Sequence, residues 1–436
     1  RPQPAACNGV GNKIMSRLSV IFWLLTLLTG AVSAQNAVST LAGQAQVTGL
    51  SNGTGTNALF GDPAGVVVDA VGNYFVVDSR NHSIRKVTTN GVVTTFAGRP
   101  GVAGSSNGTG TNAYFNQPTG IAMDTAGNFY VSDTGNQLIR RITPAGVVTT
   151  LAGVAGQGGY LDGTSSSAWF NDPLGIAVSS NGTVFIADGG NHCLRQVVGG
   201  QVSTLAGRPQ IWGSADGQGT NAQFNGPCGL RLGPDGNLWV SDANNNTIRT
   251  ITPTGWVATY AGAAGQDGST DGDRLTARFR SPAELVFDRR GNLFVADSFN
   301  QTIRKITTNG WVSTVAGQAG SIGAIDGTNG VGRLFNPYGL ALALDGSLLI
   351  TDTYNEEVRS LLVPFQLTLQ KTPGTAGSRL TWETVTGKTY QVQYQTPGVG
   401  LGWNNLGNPQ VALSNSLSQV DSAVDGQRIY RVLCLP

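Results

Sequence analysis

Six copies of one charged motif carry the residue types of a catalytic or cation-binding site. Asp-x-x-Asn-x-x-(Ile/Leu/Val)-Arg recurs with its carboxylates at Asp78, Asp133, Asp188, Asp242, Asp297 and Asp352, and with its amides at Asn81, Asn136, Asn191, Asn245, Asn300 and Asn355. Carboxylates and amides are the groups of acid–base and calcium sites. A residue present in every repeat serves what every repeat needs, so we interpret the motif as structural. Asp and Asn would then bind backbone groups in a turn, and Arg would join neighbouring elements.

The positions of the histidines and cysteines do not favour a metal site or a site with a catalytic nucleophile. His82 and His192 occupy equivalent turn positions in the first and third units, which are not neighbours, so we do not expect a zinc site. Cys193 and Cys228 fall near turns in adjacent units. A disulfide between them is geometrically conceivable, and two buried free thiols are the simpler interpretation.

The motif belongs to a repeat that must position it. Successive motifs start 55, 55, 54, 55 and 55 residues apart. Each unit reads as four short strands; in the second unit they cover 118–124, 129–133, 138–142 and 147–153, separated by Gly-Asn and Ala-Gly turns. Such turns and the β-branched content are typical of antiparallel hairpins. We therefore predict an all-β protein.

The two ends of the array indicate how it closes. The sixth unit continues from Arg359 into Ser360 and Leu361 without its fourth strand, and a strand of that pattern stands at 38–43. If this N-terminal strand completes the sixth unit, the array closes into a ring and its two terminal edges are no longer open. The sequence predicts a six-bladed β-propeller over residues 35–363.

The repeat resembles the NHL repeat family. The pattern Pro-x-Gly-Ile-Ala-x-Asp, then Gly-Asn-x-(Tyr/Phe)-Val-x-Asp-x-x-Asn-x-x-Ile-Arg, is nearly intact at 118–140. The resemblance implies a propeller that binds proteins, nucleic acids or glycans, while a minority of such propellers resemble enzymes such as the peptidyl-hydroxyglycine amidating lyase. That enzyme's zinc histidines have no counterpart here.

Two charged residues break the repeat on the first strand, which we expect at the ring axis. Glu284 stands where the other units have glycine, and Arg231 stands where they have valine or alanine. They could form a structural ion pair or face a ligand in the central channel. We expect no cofactor; the alternative, by analogy with gluconolactonase-type propellers, is a calcium-dependent hydrolase or lyase with an axial site around Glu284.

Function in a repeat protein is expected where the copies differ. Segments of about 20 residues connect the fourth strand of one unit to the first strand of the next, and loops longer than about 12–15 residues are often functional. They share a face of the ring with the turns between second and third strands. Aromatic residues that could stack on a sugar or a peptide there are Tyr114, Trp169, Trp212 and Tyr338.

Charge and the N-terminal segment restrict location and partners. Charged residues make up 12% of the chain and the net charge is +2, which argues against a nucleic-acid partner or an anionic membrane surface. Residues 1–34 resemble upstream residues followed by a signal peptide starting at Met15, with a short apolar core and a cut after Ala34. We expect no membrane span in the mature protein.

The period stops after Pro364. Residues 364–436 contain four segments of alternating polarity, which predict half-buried antiparallel strands. Their Leu-x-Trp and Gly-x-x-Tyr-x-Val-x-Tyr patterns resemble a fibronectin type III module and imply a small β-sandwich, of a kind that ends many secreted bacterial proteins. Together these observations predict a secreted, periplasmic or cell-surface monomer that binds a protein or a glycan and has no catalytic residues.

Overall fold

The structure, a computed structural model, describes most of the chain from Asn36 onwards. The described residues are 36–328, 330–362, 368–371, 378–383, 389–396, 404–411, 416–422 and 429–435. The expected leader, residues 1–34, lies outside them. Among the described residues, no helix has the length and apolar character needed to cross a membrane.

Six antiparallel sheets of five strands form the blades. Blade 1 contains Gly53–Thr54, Pro63–Val68, Tyr74–Asp78, Ser83–Val87 and Val92–Ala97. Blade 2 contains Gly108–Thr109, Ile121–Met123, Phe129–Asp133, Leu138–Ile142 and Val147–Ala152. Blade 3 contains Gly163–Thr164, Pro173–Val178, Val184–Asp188, Cys193–Val198 and Gln201–Ala206.

The other three blades follow the same plan. Blade 4 contains Gly217–Gln218, Pro227–Leu232, Leu238–Asp242, Thr247–Ile251 and Trp256–Gly262. Blade 5 contains Gly272–Asp273, Pro282–Phe287, Leu293–Asp297, Thr302–Ile306 and Trp311–Gly317. Blade 6 contains Gly327–Thr328, Pro337–Leu342, Leu348–Asp352, Glu357–Leu362 and Ala37–Gly43.

Strand order within a blade corrects the expected count of four. The strand that follows the proline is innermost, the next three lie progressively outward, and the two-residue strand that precedes it in sequence pairs on the outer edge. The middle of each connecting segment is therefore held as a fifth strand. Short 3-10 turns complete the described propeller at Gly55–Asn57, Gly110–Asn112, Thr134–Asn136, Gly189–Asn191, Gly219–Asn221, Ala243–Asn245, Ser298–Asn300 and Thr353–Asn355.

Blade 6 is assembled from both ends of the propeller. Ala37–Gly43 pairs antiparallel with Glu357–Leu362, with Val38 opposite Leu361 and Gly43 opposite Glu357. This confirms that the N-terminal strand supplies the fourth strand of the sixth unit. Backbone hydrogen bonds thus close the ring, and blade 6 has the same five strands as the other blades.

The core lies between neighbouring blades. One phenylalanine from each of five connecting segments is fully buried there: Phe60, Phe115, Phe170, Phe224 and Phe279. Leu334 takes this position in blade 6 and is also fully buried. These side chains fill the gaps between neighbouring blades, and their burial removes apolar surface from water.

The described C-terminal residues form two small antiparallel sheets. One contains Thr368–Lys371, Ser378–Glu383 and Ser416–Asp421, and the other contains Asn404–Val411, Thr389–Gln395 and Ile429–Leu435. They extend the all-β prediction beyond the propeller. Their likeness to a fibronectin module stays a prediction.

Candidate functional site

Hydrogen bonds join the repeated Asp, Asn and Arg inside each blade. In blade 2, one carboxylate oxygen of Asp133 accepts hydrogen bonds from Arg140 at 2.7 Å and from Asn136 at 2.8 Å. The other oxygen accepts from the backbone N–H of Asn116 at 2.7 Å. Asn136 also donates to the carbonyl of Gly104 at 2.7 Å. All these side chains are buried and engaged with protein, so the motif positions the connecting segments rather than a ligand.

Each repeated arginine has a second partner on the outer edge. Arg140 donates to Asn107 at 3.0 Å, whereas Arg249 in blade 4 donates to Asp216 at 2.7 Å. The guanidinium carbons of the first five arginines lie 5.1–5.3 Å from the centres of the buried phenylalanine rings. The Asp or Asn that precedes each two-residue strand thus belongs to the same network. This network holds the loop-rich face, which we define as the turns between second and third strands together with the adjoining connecting segments.

The two histidines join blades instead of binding metal. Nδ1 of His82 accepts a hydrogen bond from the backbone N–H of Gln117 in the next blade at 3.0 Å, and Nδ1 of His192 accepts from Gly226 at 3.1 Å. Burial lowers the pKa of both imidazoles. At the junction of blades 2 and 3 the equivalent acceptor is the side-chain oxygen of Gln137, which accepts from the backbone N–H of Asp172 at 2.8 Å.

Residues of three inner strands meet at the ring axis. The sulfur of Cys228 in blade 4 and the hydroxyl oxygen of Tyr338 in blade 6 are hydrogen-bonded at 3.1 Å, across the intervening blade 5. Glu284 of blade 5 lies close enough to shift the pKa of both groups. Among the described ion pairs none joins Glu284 to Arg231, although each charge affects the other's pKa. We call Arg231, Cys228, Glu284 and Tyr338 the axial cluster.

Close packing explains why Glu284 is exceptional. A Cβ atom built on Gly120 would lie 2.2 Å from the carbonyl oxygen of Leu174, and one on Gly175 would lie 2.1 Å from that of Cys228. Five inner strands therefore need glycine where they touch the next strand. Only at the junction of blades 5 and 6 does this position carry a side chain.

The axial cluster has unusual proton affinities. Burial raises the pKa of Glu284 to about 7, against the opposing effect of the Arg231 charge. Burial lowers the pKa of Arg231, raises that of the Cys228 thiol to about 12, and raises that of Tyr338 well above its ordinary value. Thiol and phenol are therefore neutral at physiological pH, and Glu284 is the group that titrates there. Cys193 and Cys228 are both free and buried, which is the simpler of the two sequence interpretations.

The four predicted aromatics occupy different environments. Trp212 is exposed, at 68%, on the connecting segment before blade 4. Tyr114 and Trp169 are half-buried at equivalent positions; the Tyr114 hydroxyl accepts from Arg99 at 2.8 Å, and the Trp169 backbone pairs with Leu161. Tyr338 belongs to the inner strand and to the axial cluster, not to the connecting segments where we expected its stacking surface.

A groove of about 810 Å³ lies on the loop-rich face between the connecting segments of blades 3 and 4. Tyr160 borders it from the segment that enters blade 3. The segment that enters blade 4 contributes Arg208, Gln210, Asn221 and Gln223. Backbone bonds to the turns hold this second segment: Gln210 N–H donates to Asn191 at 2.7 Å, and Asn245 donates to Gly213 at 2.7 Å. The groove is thus built on two anchored segments.

The repeat pattern of a known family matches residues 115–142 and 170–197, the corresponding parts of blades 2 and 3. Blades 2 and 3 therefore contain NHL repeats. NHL repeat-containing protein 2 of Bos taurus is 29% identical over 336 residues, which cover 69% of this chain and 46% of that protein. The chain therefore spans less than half the length of this curated relative.

Solved structures share the fold of this NHL propeller. A Bacteroides thetaiotaomicron protein of unknown function is 23% identical, with a TM-score of 0.60 over 76% of each chain. An auxiliary nutrient binding protein of the same organism is 16% identical, with a TM-score of 0.57 over 75% of this chain and 76% of the other. At these identities the comparison shows the fold alone.

The axial cluster of the NHL propeller does not fit calcium. Calcium prefers six to eight oxygen ligands, several of them carboxylate or carbonyl. Glu284 is instead accompanied by a guanidinium, a thiol and a phenol. Within the part of the chain that the structure describes, no three His, Cys, Asp or Glu side chains are grouped to hold a metal ion.

Two exposed aromatics were missed by the sequence reasoning. Phe299 and Tyr354 lie in the turns between second and third strands of blades 5 and 6 and are 54% and 50% exposed. The equivalent residues in the first four blades are Arg80, Gly135, Gly190 and Asn244. This variable position lies between the Asp and the Asn that are the same in all six repeats. Comparing the six copies there, as was done for Glu284, would have found both residues.

Proposed function

We propose that the protein is an exported, non-catalytic binding protein whose loop-rich face contacts a protein or glycan ligand. The observation that carries this proposal is the exposure of three large aromatics on that face: Trp212, Phe299 and Tyr354. Their positions differ between repeats, whereas the repeated charged side chains are buried in internal hydrogen bonds. Exposed aromatic side chains supply much of the energy in binding surfaces.

The comparisons support a binding role at the level of the fold. One structure with the same fold is that of an auxiliary nutrient binding protein. We extend the proposal to the chain ends: residues 15–34 direct export, and residues 364–436 act as a fibronectin-like spacer or adhesion module on a monomer. Export is tested by N-terminal sequencing of the protein secreted by a bacterial host, where cleavage should leave Gln35 first.

The binding proposal is tested with two sets of substitutions of similar exposure. Trp212→Ala, Phe299→Ala and Tyr354→Ala alter the loop-rich face together. Trp256→Ala and Trp311→Ala are the control, since these tryptophans are 51% and 55% exposed at the start of outer strands, away from the turns between second and third strands. Purified full-length proteins are screened on a glycan array and against a panel of purified secreted proteins, with thermal unfolding as a check of folding.

A ligand bound by the wild-type protein and by the tryptophan control, but lost by the triple variant, is the expected result. A ligand that binds the triple variant as well as the wild type contradicts a role for this face. Turnover of a ligand by the wild-type protein contradicts the non-catalytic part of the proposal.

A further inference from the structure

The groove between blades 3 and 4 has a fixed aromatic side chain at one edge. The Tyr160 hydroxyl is 2.8 Å from the hydroxyl of Thr204 and donates to Asp162 at 3.2 Å. The guanidinium carbon of Arg195 lies 4.8 Å from the centre of the Tyr160 ring. The ring is held in place and half-buried, so little conformational entropy is lost when a ligand packs against its remaining surface.

Polar side chains without protein partners line the rest of the groove. Within the described residues, the side chains of Arg208, Gln210, Asn221 and Gln223 make no hydrogen bond or ion pair to protein. Each amide offers two N–H donors and an acceptor, and the guanidinium offers five donors. The groove therefore presents both donors and acceptors to a ligand at closely spaced positions.

The combination of Tyr160 with Arg208 occurs at one junction of the repeat. The position of Tyr160 is Leu50, Ser105, Ser214, Ser269 and Ala324 in the other segments. Arg208 corresponds to Gln44, Arg99, Val154, Ala263 and Gln318. Because the fold is built five more times without this combination, the combination is not needed for folding.

We propose that this groove binds a carbohydrate, with a sugar ring against Tyr160 and its hydroxyls bonded to Gln210, Asn221 and Gln223. Sugar rings have an apolar C–H surface that packs on aromatic rings, and vicinal hydroxyls match amides that donate and accept together. A peptide would instead need an apolar pocket for its anchoring side chains, and the groove has no Leu, Ile, Val or Phe in its lining. The inference rests on the proposed function, since it names the ligand class of the loop-rich face.

The test uses matched pairs of substitutions in two equivalent connecting segments. Gln210→Ala with Asn221→Ala removes groove amides that make no hydrogen bond to other protein groups. Gln46→Ala with Asn57→Ala is the control: Gln46 has the same left-handed backbone, with φ of 59° against 63° for Gln210, and Asn57 ends the equivalent 3-10 turn. Tyr160→Ala is a third variant, whose folding is checked by thermal unfolding because Tyr160 contacts Arg195 and Thr204.

Full-length wild-type protein is screened on a glycan array, and the dissociation constant of the best glycan is measured by calorimetry for every variant. We expect the Gln210/Asn221 variant to bind at least about tenfold more weakly, and the Gln46/Asn57 control to bind within about twofold of the wild type. Equal binding by both double variants, or no glycan bound by the wild type, overturns the inference. In the second case, a purified protein ligand that depends on Trp212, Phe299 and Tyr354 leaves the proposed function intact.

Discussion

The turns of the six blades and the ring axis both contain buried or half-buried carboxylates and guanidinium groups, and they use them differently. In the turns, each repeated arginine contacts its aspartate at 2.7–2.8 Å, and this pair recurs in every blade. At the axis, Glu284 and Arg231 interact only at longer range, and each occurs once. Each repeat supplies both the aspartate and the arginine of its own turn. Glu284 and Arg231 each occur in one repeat, so they interact with whichever groups the neighbouring blades place beside them.

This difference separates residues that stabilise the propeller fold from residues that are free to serve a function specific to this protein. The turn network pairs its opposite charges at short distance, so loss of one member should act mainly on stability. Burial raises the pKa of its aspartates in five blades to about 6. Burial raises the pKa of Glu284 further, to about 7, and its arginine partner interacts only at longer range, so its loss should act on the pH dependence of stability near neutral pH. The following substitutions test that separation in order of expected size.

Removing a carboxylate from the turn network should have the largest effect. Asp133→Ala leaves the fully buried guanidinium of Arg140 without its charge partner. An uncompensated buried charge costs about 3–5 kcal/mol of unfolding free energy. Urea unfolding at pH 7.5 should show this loss. Most surface substitutions change the free energy of unfolding by less than about 0.5 kcal/mol. A change of that size in Asp133→Ala would contradict the structural interpretation of the motif.

Neutralising Glu284 should change the pH dependence of stability. The pKa of this carboxyl is raised from 4.5 to about 7 in the folded protein, so the protonated form favours folding and its contribution is lost as pH rises from about 4.5 through about 7. Glu284→Gln should match the wild type near pH 5 and exceed its unfolding free energy by about 1–2 kcal/mol at pH 8. If the free energies of unfolding of the two proteins change with pH in parallel, burial does not raise the pKa of Glu284.

Replacing the histidines at the blade junctions should remove a weakness at acid pH. His82 and His192 accept hydrogen bonds as neutral imidazoles, and burial lowers their pKa from 6.5, so the wild type loses stability as pH falls below about 6.5. His82→Gln with His192→Gln introduces the acceptor already used at Gln137. We expect no change at pH 8 and a gain of about 1 kcal/mol at pH 5.

The outer partner of the repeated arginine should matter least. Asp216→Asn gives blade 4 the amide found at Asn52 and Asn107 in blades 1 and 2. Asp216 is 44% exposed at its side chain, so solvent screens its charge, and the change should cost less than about 1 kcal/mol of unfolding free energy. A loss comparable to that of Asp133→Ala would mean that the outer carboxylate carries the network.

Most of the fold was accessible before the structure, because its signals are local and repeated. The 55-residue interval, the turn residues and the missing fourth strand led to six blades and to Val38–Gly43 as the closing strand, as the pairing in blade 6 confirms. The fifth strand was missed because two residues of a connecting segment carry no periodicity that could distinguish a strand from a turn.

The candidate sites were less accessible, because contacts between blades depend on residues far apart in the chain. Glu284 stood out as a departure from the repeat, but its neighbours did not: Tyr338 reaches Cys228 over 110 residues. The groove joins Tyr160 to a segment that starts at Arg208.

Chain-local physics thus accounts for the blades, since hairpin turns and alternating strands form from residues close in sequence. Which side chain of one blade meets which of another follows from how strongly each blade twists and how tightly the inner strands pack. Glycine at five junctions and glutamate at the sixth set that packing, and only the folded ring shows its result.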